Sequence, residues 1–299
     1  MDILNGILLI NKPQSFTSFD VVAKLRGILK TKKIGHAGTL DPMATGVLPV
    51  FVGSATRACD ILPDTDKSYR AVLRLGTVTD TQDIWGTVLS TTLQSVKADQ
   101  FHMAAALFTG TIMQTPPMYS AVKIDGKRLY ELARLGKEVE RPARQVTVHC
   151  MRSRCIDEAA GEYELEVSCT KGTYIRTLCA DIGDALGCGA VMTGLVRTSA
   201  CGFMLEDCHT FEEIERCAAD GRTPTLLIPT DRAFARLTPL ALDEKNTMRF
   251  LNGAEVSIDR EKNSQTMRVY ATDGSFLGLG SAQDGLLRVQ RFLGGAHLR

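Results

Sequence analysis

The stretch Gly35-His36-Ala37-Gly38-Thr39-Leu40-Asp41-Pro42-Met43-Ala44-Thr45-Gly46-Val47-Leu48-Pro49-Val50 sets three glycines and two prolines around one acid. Glycine and proline mark turns, so residues 35–46 read as a loop. The apolar run at 47–52 that follows reads as a strand. Loops held up by a sheet are where reactive groups are commonly displayed. Residue type alone favours a blander reading, because an aspartate in such a loop is most often a turn or cap residue. His36 is likewise more often a hydrogen-bonded surface histidine. On these grounds Asp41 and His36 are candidates and no more.

Outward from this loop, Gly6 to Ile10 reads as a buried strand stopped by Asn11-Lys12-Pro13. Ser18 is the expected N-cap of a helix over 19–29, with Val21, Val22, Leu25, Ile28 and Leu29 on its apolar side. Residues 69–75 read as a strand with Tyr69, Ala71, Leu73 and Leu75 on one face and Arg70 and Arg74 on the other. Residues 99–108 read as a helix closed by Gly110, and 174–186 as a helix closed by Gly187. Residues 115–145 are polar and basic, with a short helical run at 128–135. They read as an excursion from the sheet, mobile in the free protein. Strand pattern resumes at 162–168, and Thr210 to Glu213 is a capping box. Beyond a boundary near 235–242 come short strands and Gly turns such as Asn252-Gly253 and Asp273-Gly274, the pattern of a small β-barrel. The fold expected is α+β: a mixed, largely antiparallel catalytic domain over 1–235 and a barrel over 236–299.

The bulk composition narrows the function classes. With 299 residues, 44% hydrophobic and 23% charged, the chain has an ordinary globular make-up. It has no apolar run of the length that spans a membrane. Its start, Met1-Asp2-Ile3-Leu4-Asn5, lacks the pattern of a secretory leader, and a cytoplasmic protein is expected. The nine cysteines form no CxxC pair and no zinc spacing, so they read as buried reduced thiols, with no metal implied. Neither a Rossmann fingerprint nor a P-loop is present. The net charge is only +1, yet basic residues cluster. Residues 12–36 carry Lys12, Lys24, Arg26, Lys30, Lys32 and Lys33 against Asp20 alone. Residues 121–154 carry nine basic side chains against Asp125, Glu131, Glu138 and Glu140. Two such segments suit a phosphate-binding face, and suit solvated surface helices equally well.

The loop around Asp41 closely resembles the catalytic motif of the TruB family of tRNA pseudouridine synthases, Gly-His-x-Gly-x-Leu-Asp-Pro-x-Ala-x-Gly-x-Leu. Further segments resemble the family in order. They are Asn5-Gly6 through Lys12-Pro13, Asp66-Lys67-Ser68-Tyr69, Thr79 to Asp83 with Gly86, Ser168 to Leu178 with its Tyr174-Ile175-Arg176, and Leu195 to Thr198 with Gly202-Phe203. Val196 departs from the family, which commonly has a basic residue there; this touches a phosphate contact and not the chemistry. The C-terminal segment resembles a PUA module, an RNA-binding barrel that such proteins often carry.

The resemblance implies a reaction and a cast of residues. Uridine becomes pseudouridine when the bond from base N1 to ribose C1′ breaks and a bond from C5 replaces it. The product is an isomer, so no cofactor is implied. The resemblance makes Asp41 the nucleophile. A carboxylate must stay ionised to serve, which burial opposes and a neighbouring cation favours; the family gives that part to Arg176. Tyr69 would stack on the base and handle the C5 proton, with Tyr174 and Leu195 lining the pocket. His36 would fill the gap left by the flipped base, and Lys12 joins the substrate-binding set. Tyr119, Lys123, Lys127, Arg128, Arg141 and Arg144 are candidate RNA contacts. The substrate implied is the T stem-loop of tRNA at uridine-55, handled by a monomer without membrane or obligatory protein partner. Two other readings are a tRNA-folding chaperone of the same fold and a guide-RNA-dependent subunit of the dyskerin type. An intact set of Asp41, Tyr69 and Arg176 favours catalysis over binding alone.

Overall fold

A computed structural model of the chain describes residues 4–93, 95–124, 126–259 and 265–294. Met1 to Ile3 of the N-terminal reading and Asp125 of the second basic segment lie outside these residues. The chain packs as two compact units, one formed by Met1–Pro42, Gly46–Thr65 and Ala200–Arg299, the other by Met43–Thr45 and Asp66–Ser199.

In the first unit the strand Gly6–Lys12 pairs antiparallel with Thr45–Val52, Ile10 facing Leu48. Its continuous apolar run is explained by burial on both faces. Leu8 and Ile10 pack with Val21, Val22 and Leu25 of the helix Ser18–Leu29 and with Phe211 and Ile214 of the helix Phe211–Ala219. Ile7 and Leu9 enter a second core with Phe51 and Phe234. The first helix begins one residue earlier than the sequence suggests. Thr17, and not Ser18, is its N-cap: the Thr17 side chain accepts from the Asp20 N–H, and the Asp20 carboxylate accepts from the Thr17 N–H. Ser18 is buried and engaged elsewhere.

The C-terminal residues form a five-stranded sheet in the order Thr238–Ala241, Gln265–Tyr270, Phe276–Gln283, Leu286–Phe292, Val256–Ser257, antiparallel except for the first pair. This is the barrel-like module expected, with one addition: the helix Glu244–Leu251, whose Phe250 fills the sheet's own core beside Val269, Leu277 and Leu287. The helix was illegible because it is short and its first half is polar, with Phe250 and Leu251 anchoring only its end. Gly278 has φ +149°, and a side chain there would sit 2.1 Å from the Arg291 carbonyl. Leu279 and Leu293 of this sheet belong to the same core as Ile7 and Phe51. The Ser54 hydroxyl donates to the Leu293 carbonyl at 3.3 Å, and Arg57 to the Phe292 carbonyl at 3.2 Å.

The second unit is a sheet in the order Ala190–Ala200, Lys67–Leu75, Glu162–Cys169, Arg144–Asp157, Gly110–Gln114. Tyr69, Ala71, Leu73 and Leu75 share the buried face as expected. Helices Ala98–Ala106 and Ile175–Ala185 accompany it. Phe101 of the first stacks on Tyr163 at 3.8 Å, and the Tyr163 hydroxyl donates to the Val96 carbonyl. Three of the strands, Arg144–Asp157, Gly110–Gln114 and Ala190–Ala200, have no clear signal in the sequence. The first is long and charged because its Arg152 and Arg154 stand opposite Glu166 and Glu164, with Arg154 3.0 Å from Glu164. The basic excursion leaves the sheet after Gln114 and returns at Arg144, carrying a hairpin of Lys123–Ile124 with Lys127–Arg128 and the helix Leu129–Arg134. Among the described residues no helix is long and apolar enough to cross a membrane.

The core shared by Leu279, Ile7 and Phe51 makes the C-terminal sheet part of the first unit's stability. Leu279→Ala is expected to cost about 2–5 kcal/mol in denaturant unfolding. A cost below about 1 kcal/mol would mean that the sheet adds little to that core.

Candidate active site

The loop that carries Asp41 is fastened on both sides of the carboxylate. Leu40, buried, donates its N–H to the Ser18 hydroxyl oxygen at 2.9 Å. The Pro42 carbonyl accepts from the Ser15 N–H at 2.9 Å and from the Lys12 ammonium at 3.0 Å. The same ammonium donates to the carbonyls of Phe16 at 2.7 Å and Pro13 at 2.9 Å. The Ala37 N–H donates to the Pro49 carbonyl at 3.0 Å, and Gly38 takes the left-handed φ of +76° that lets the chain turn. Asp41 itself is half-buried. His36 ends the short strand Ile34–His36, paired with Val50, and is also half-buried. Lys12, expected among the substrate contacts, is 0% exposed. In the structure its ammonium is turned to the carbonyls that hold the loop.

The second unit brings Tyr69, Tyr174, Arg176 and Leu195 into one compact body. Tyr69 lies 8% exposed on the strand Lys67–Leu75, opposite Val167. Tyr174 is the N-cap residue of the helix Ile175–Ala185. The Gln114 side chain grips its backbone twice, accepting from the Tyr174 N–H at 2.7 Å and donating to its carbonyl at 3.0 Å. Arg176, 5% exposed, donates to the Thr81 carbonyl at 3.0 Å and the Tyr119 carbonyl at 2.9 Å, with the Asp83 carboxylate at 3.7 Å. Its guanidinium therefore ties the helix to the turn at 79–87 and to the start of the basic excursion. Leu195 is 9% exposed on the strand Ala190–Ala200.

These contacts explain why the motif Thr79 to Asp83 with Gly86 has its composition. The hydroxyls of Thr79 and Thr81 donate to the Asp83 carbonyl and carboxylate, each at 2.7 Å. The Thr87 N–H donates to the Asp80 carboxylate at 2.7 Å. A Cβ at residue 86 would stand 2.1 Å from the Thr81 hydroxyl, so only glycine fits. The turn is thus a rigid acceptor for Arg176. Sequence reasoning missed the supporting residues Ser18, Gln114 and Asp83. Ser18 was hidden because a serine before a helix looks like a cap, and Gln114 because a lone glutamine in a polar stretch carries no pattern.

Beside this turn lies a cleft of about 650 Å³ whose lining includes Asp80, Glu138, Arg141, Asp181 and Asp184. Burial, aided by the neighbouring Asp184, pushes the Asp181 carboxyl up to about 6. The acidic lining disfavours an RNA backbone there. Of the candidate contacts on the excursion, Lys123, Lys127, Arg128 and Arg144 are exposed, whereas Arg141 donates to Glu138 at 3.2 Å.

Comparison with known proteins identifies the family. Residues 26–175 match the model of the TruB family pseudouridylate synthase N-terminal domain. Residues 176–235 match the tRNA pseudouridylate synthase B C-terminal domain, and 238–293 a further pseudouridine synthase II TruB C-terminal model. The chain is 42% identical over 297 residues to a tRNA pseudouridine synthase B of Cupriavidus metallidurans, covering 97% of this chain and 94% of that one. It is 46% identical over 291 residues to the protein of the same name from Lachnoclostridium phytofermentans, covering 92% and 94%. Among solved structures, a chain of a Cbf5-Nop10-Gar1 complex superposes with a TM-score of 0.75 at 25% identity, over 96% of this chain and 84% of that one. Family models that run in order along the sequence, and close relatives matched over nearly the full length, lead to one conclusion: the chain belongs to the TruB family of pseudouridylate synthases.

Proposed function

We propose that this chain is a tRNA pseudouridine synthase that converts uridine-55 of the T loop, with Asp41 as its nucleophile. Relatives at 42% and 46% identity named tRNA pseudouridine synthase B support the substrate class. The observation that carries the catalytic assignment is the loop itself. Asp41 stands between two anchored residues, Leu40 and Pro42, so the backbone that carries it is held in place before any substrate arrives. The chaperone reading does not call for an acid on a loop so fastened.

In the proposed mechanism the target base is flipped out of its stack. The Asp41 carboxylate assists cleavage of the N1–C1′ bond, the uracil turns, and C5 bonds to C1′. The proton lost from C5 is balanced by one gained at N1, so the product has the atoms of the substrate. Tyr69 provides the platform for the base and the hydroxyl that handles the C5 proton. Arg176 supplies the cation that keeps the acid ionised, and Tyr174, Leu195 and His36 shape the pocket. The segments 1–235 and 236–299 divide the labour, the first carrying the chemistry and the second contacting tRNA away from the T loop. We place the enzyme in the cytoplasm, working as a monomer without an obligatory protein partner.

Two substitutions test this. Asp41→Asn keeps the volume and removes the nucleophile; it is expected to bind unmodified tRNA with wild-type affinity and to form no pseudouridine on mapping. Clear turnover by a contamination-free sample would exclude the assigned role. Tyr69→Phe keeps the ring and loses the hydroxyl. Binding is expected to survive while turnover falls by a factor of roughly 10² or more, and a rate near wild type would reduce Tyr69 to a platform.

A further inference from the structure

The basic segment at 12–36 looks uniform in sequence, and the structure sorts it. Lys12 is buried under the Asp41 loop. Lys24 is 3.1 Å from the Glu215 carboxylate and lies over the Phe211 ring at 4.3 Å. Arg26, Lys30, Lys32 and Lys33 are exposed, and among the described residues none of these four is in a salt bridge.

Along the helix Ser18–Leu29 and its C-cap Lys30, Phe19, Ala23, Arg26 and Lys30 follow each other at spacings of four, three and four, which puts them on one side. That side is open to solvent. Phe19 is 65% exposed, a large ring left in water at the end of the helix next to Ser18, the residue that holds Leu40 of the Asp41 loop. The Arg26 guanidinium stands 6.0 Å from the ring centre. Gly27 beside it is also exposed, and a Cβ there would meet nothing within 4 Å. Lys32 and Lys33 continue the charge beyond the helix on a fixed backbone, because the Lys33 carbonyl accepts the Gly53 N–H at 2.8 Å. Cations at a helix C-terminus complement its dipole, which accounts for Arg26 and Lys30. It does not account for Lys32 and Lys33 beyond the helix, or for the exposed phenyl ring at the opposite end.

We propose that this side of the helix is an RNA-docking strip, in which Phe19 packs on a ribose or an unstacked base beside the target and Arg26, Lys30, Lys32 and Lys33 take successive phosphates. The inference rests on the reading of the chain as a tRNA-acting enzyme, and it assigns a contact surface to the element that also fastens the Asp41 loop. An exposed ring followed by a row of cations suits single-stranded RNA, since every base offers a face to stack and every nucleotide a phosphate. The small Ala23 and Gly27 let the sugar-phosphate chain approach the helix closely.

The test uses the full chain and an unmodified tRNA transcript, with affinity measured across a salt series and turnover measured at saturating RNA. Phe19→Ala is expected to weaken binding about tenfold. A triple variant, Arg26→Gln with Lys30→Gln and Lys33→Gln, is expected to lower the slope of log affinity against log salt by about 2–3. Lys24→Gln, which removes a charge of the same helix already committed to Glu215, is expected to leave that slope unchanged. All three variants keep the wild-type rate at saturation. Binding by Phe19→Ala within about twofold of wild type, together with a triple-variant slope equal to that of Lys24→Gln, would overturn the proposal. An equal loss from Lys24→Gln would do the same, because only net charge would then be at work. Absence of pseudouridine from the wild-type reaction would instead refute the functional reading, and the slopes would remain measurable.

Discussion

A single buried ammonium organises the loop that carries Asp41. Lys12 has no exposed surface and donates to the carbonyls of Pro13, Phe16 and Pro42. A lysine taken out of water must be given strong acceptors, and carbonyl oxygens at 2.7–3.0 Å are such acceptors. The consequence is mechanical. The end of the first strand, the segment before the first helix and the residue after Asp41 are fixed to one point. Ser18 adds a second point at Leu40. A catalytic acid gains by being placed beforehand, since misplacement is costly.

The second unit builds its part on the same principle with different groups. Arg176 plays the role there that Lys12 plays in the first: a buried cation whose donors close on backbone carbonyls, those of Thr81 and Tyr119. Gln114 fixes the helix start just before it. In both units the side chains expected to touch substrate are few, and many more residues serve to hold them. Such second-layer support is what separates a preformed site from a set of suitable residue types.

Much of this was legible in the sequence, for identifiable reasons. The strand from Gly6 and the helix after Thr17 were readable because burial on both faces, or on one side, leaves a strict apolar pattern. The candidate site could be named because the span from Gly35 to Leu48 fits the fixed positions of a family motif; residue type alone left Asp41 a turn residue. What was not readable is what depends on distant partners. The strand Arg144–Asp157 hides behind charges that find their opposites only across the sheet, as Arg154 finds Glu164. Ser18 looked like a cap, and its true partner lies 22 residues on. Lys12 read as one cation of a basic segment and as a substrate contact, because nothing local announces that three carbonyls converge on it.

Lys12→Met keeps the length of the side chain and removes its donors. Binding of unmodified tRNA and the rate of pseudouridine formation at saturation should be measured on the folded variant, below its melting temperature. Binding within a few-fold of wild type with a rate lower by roughly a hundredfold is the result expected if the ammonium positions Asp41. A folded variant that turned over at the wild-type rate would contradict it, and would show that the loop holds its place without the buried lysine.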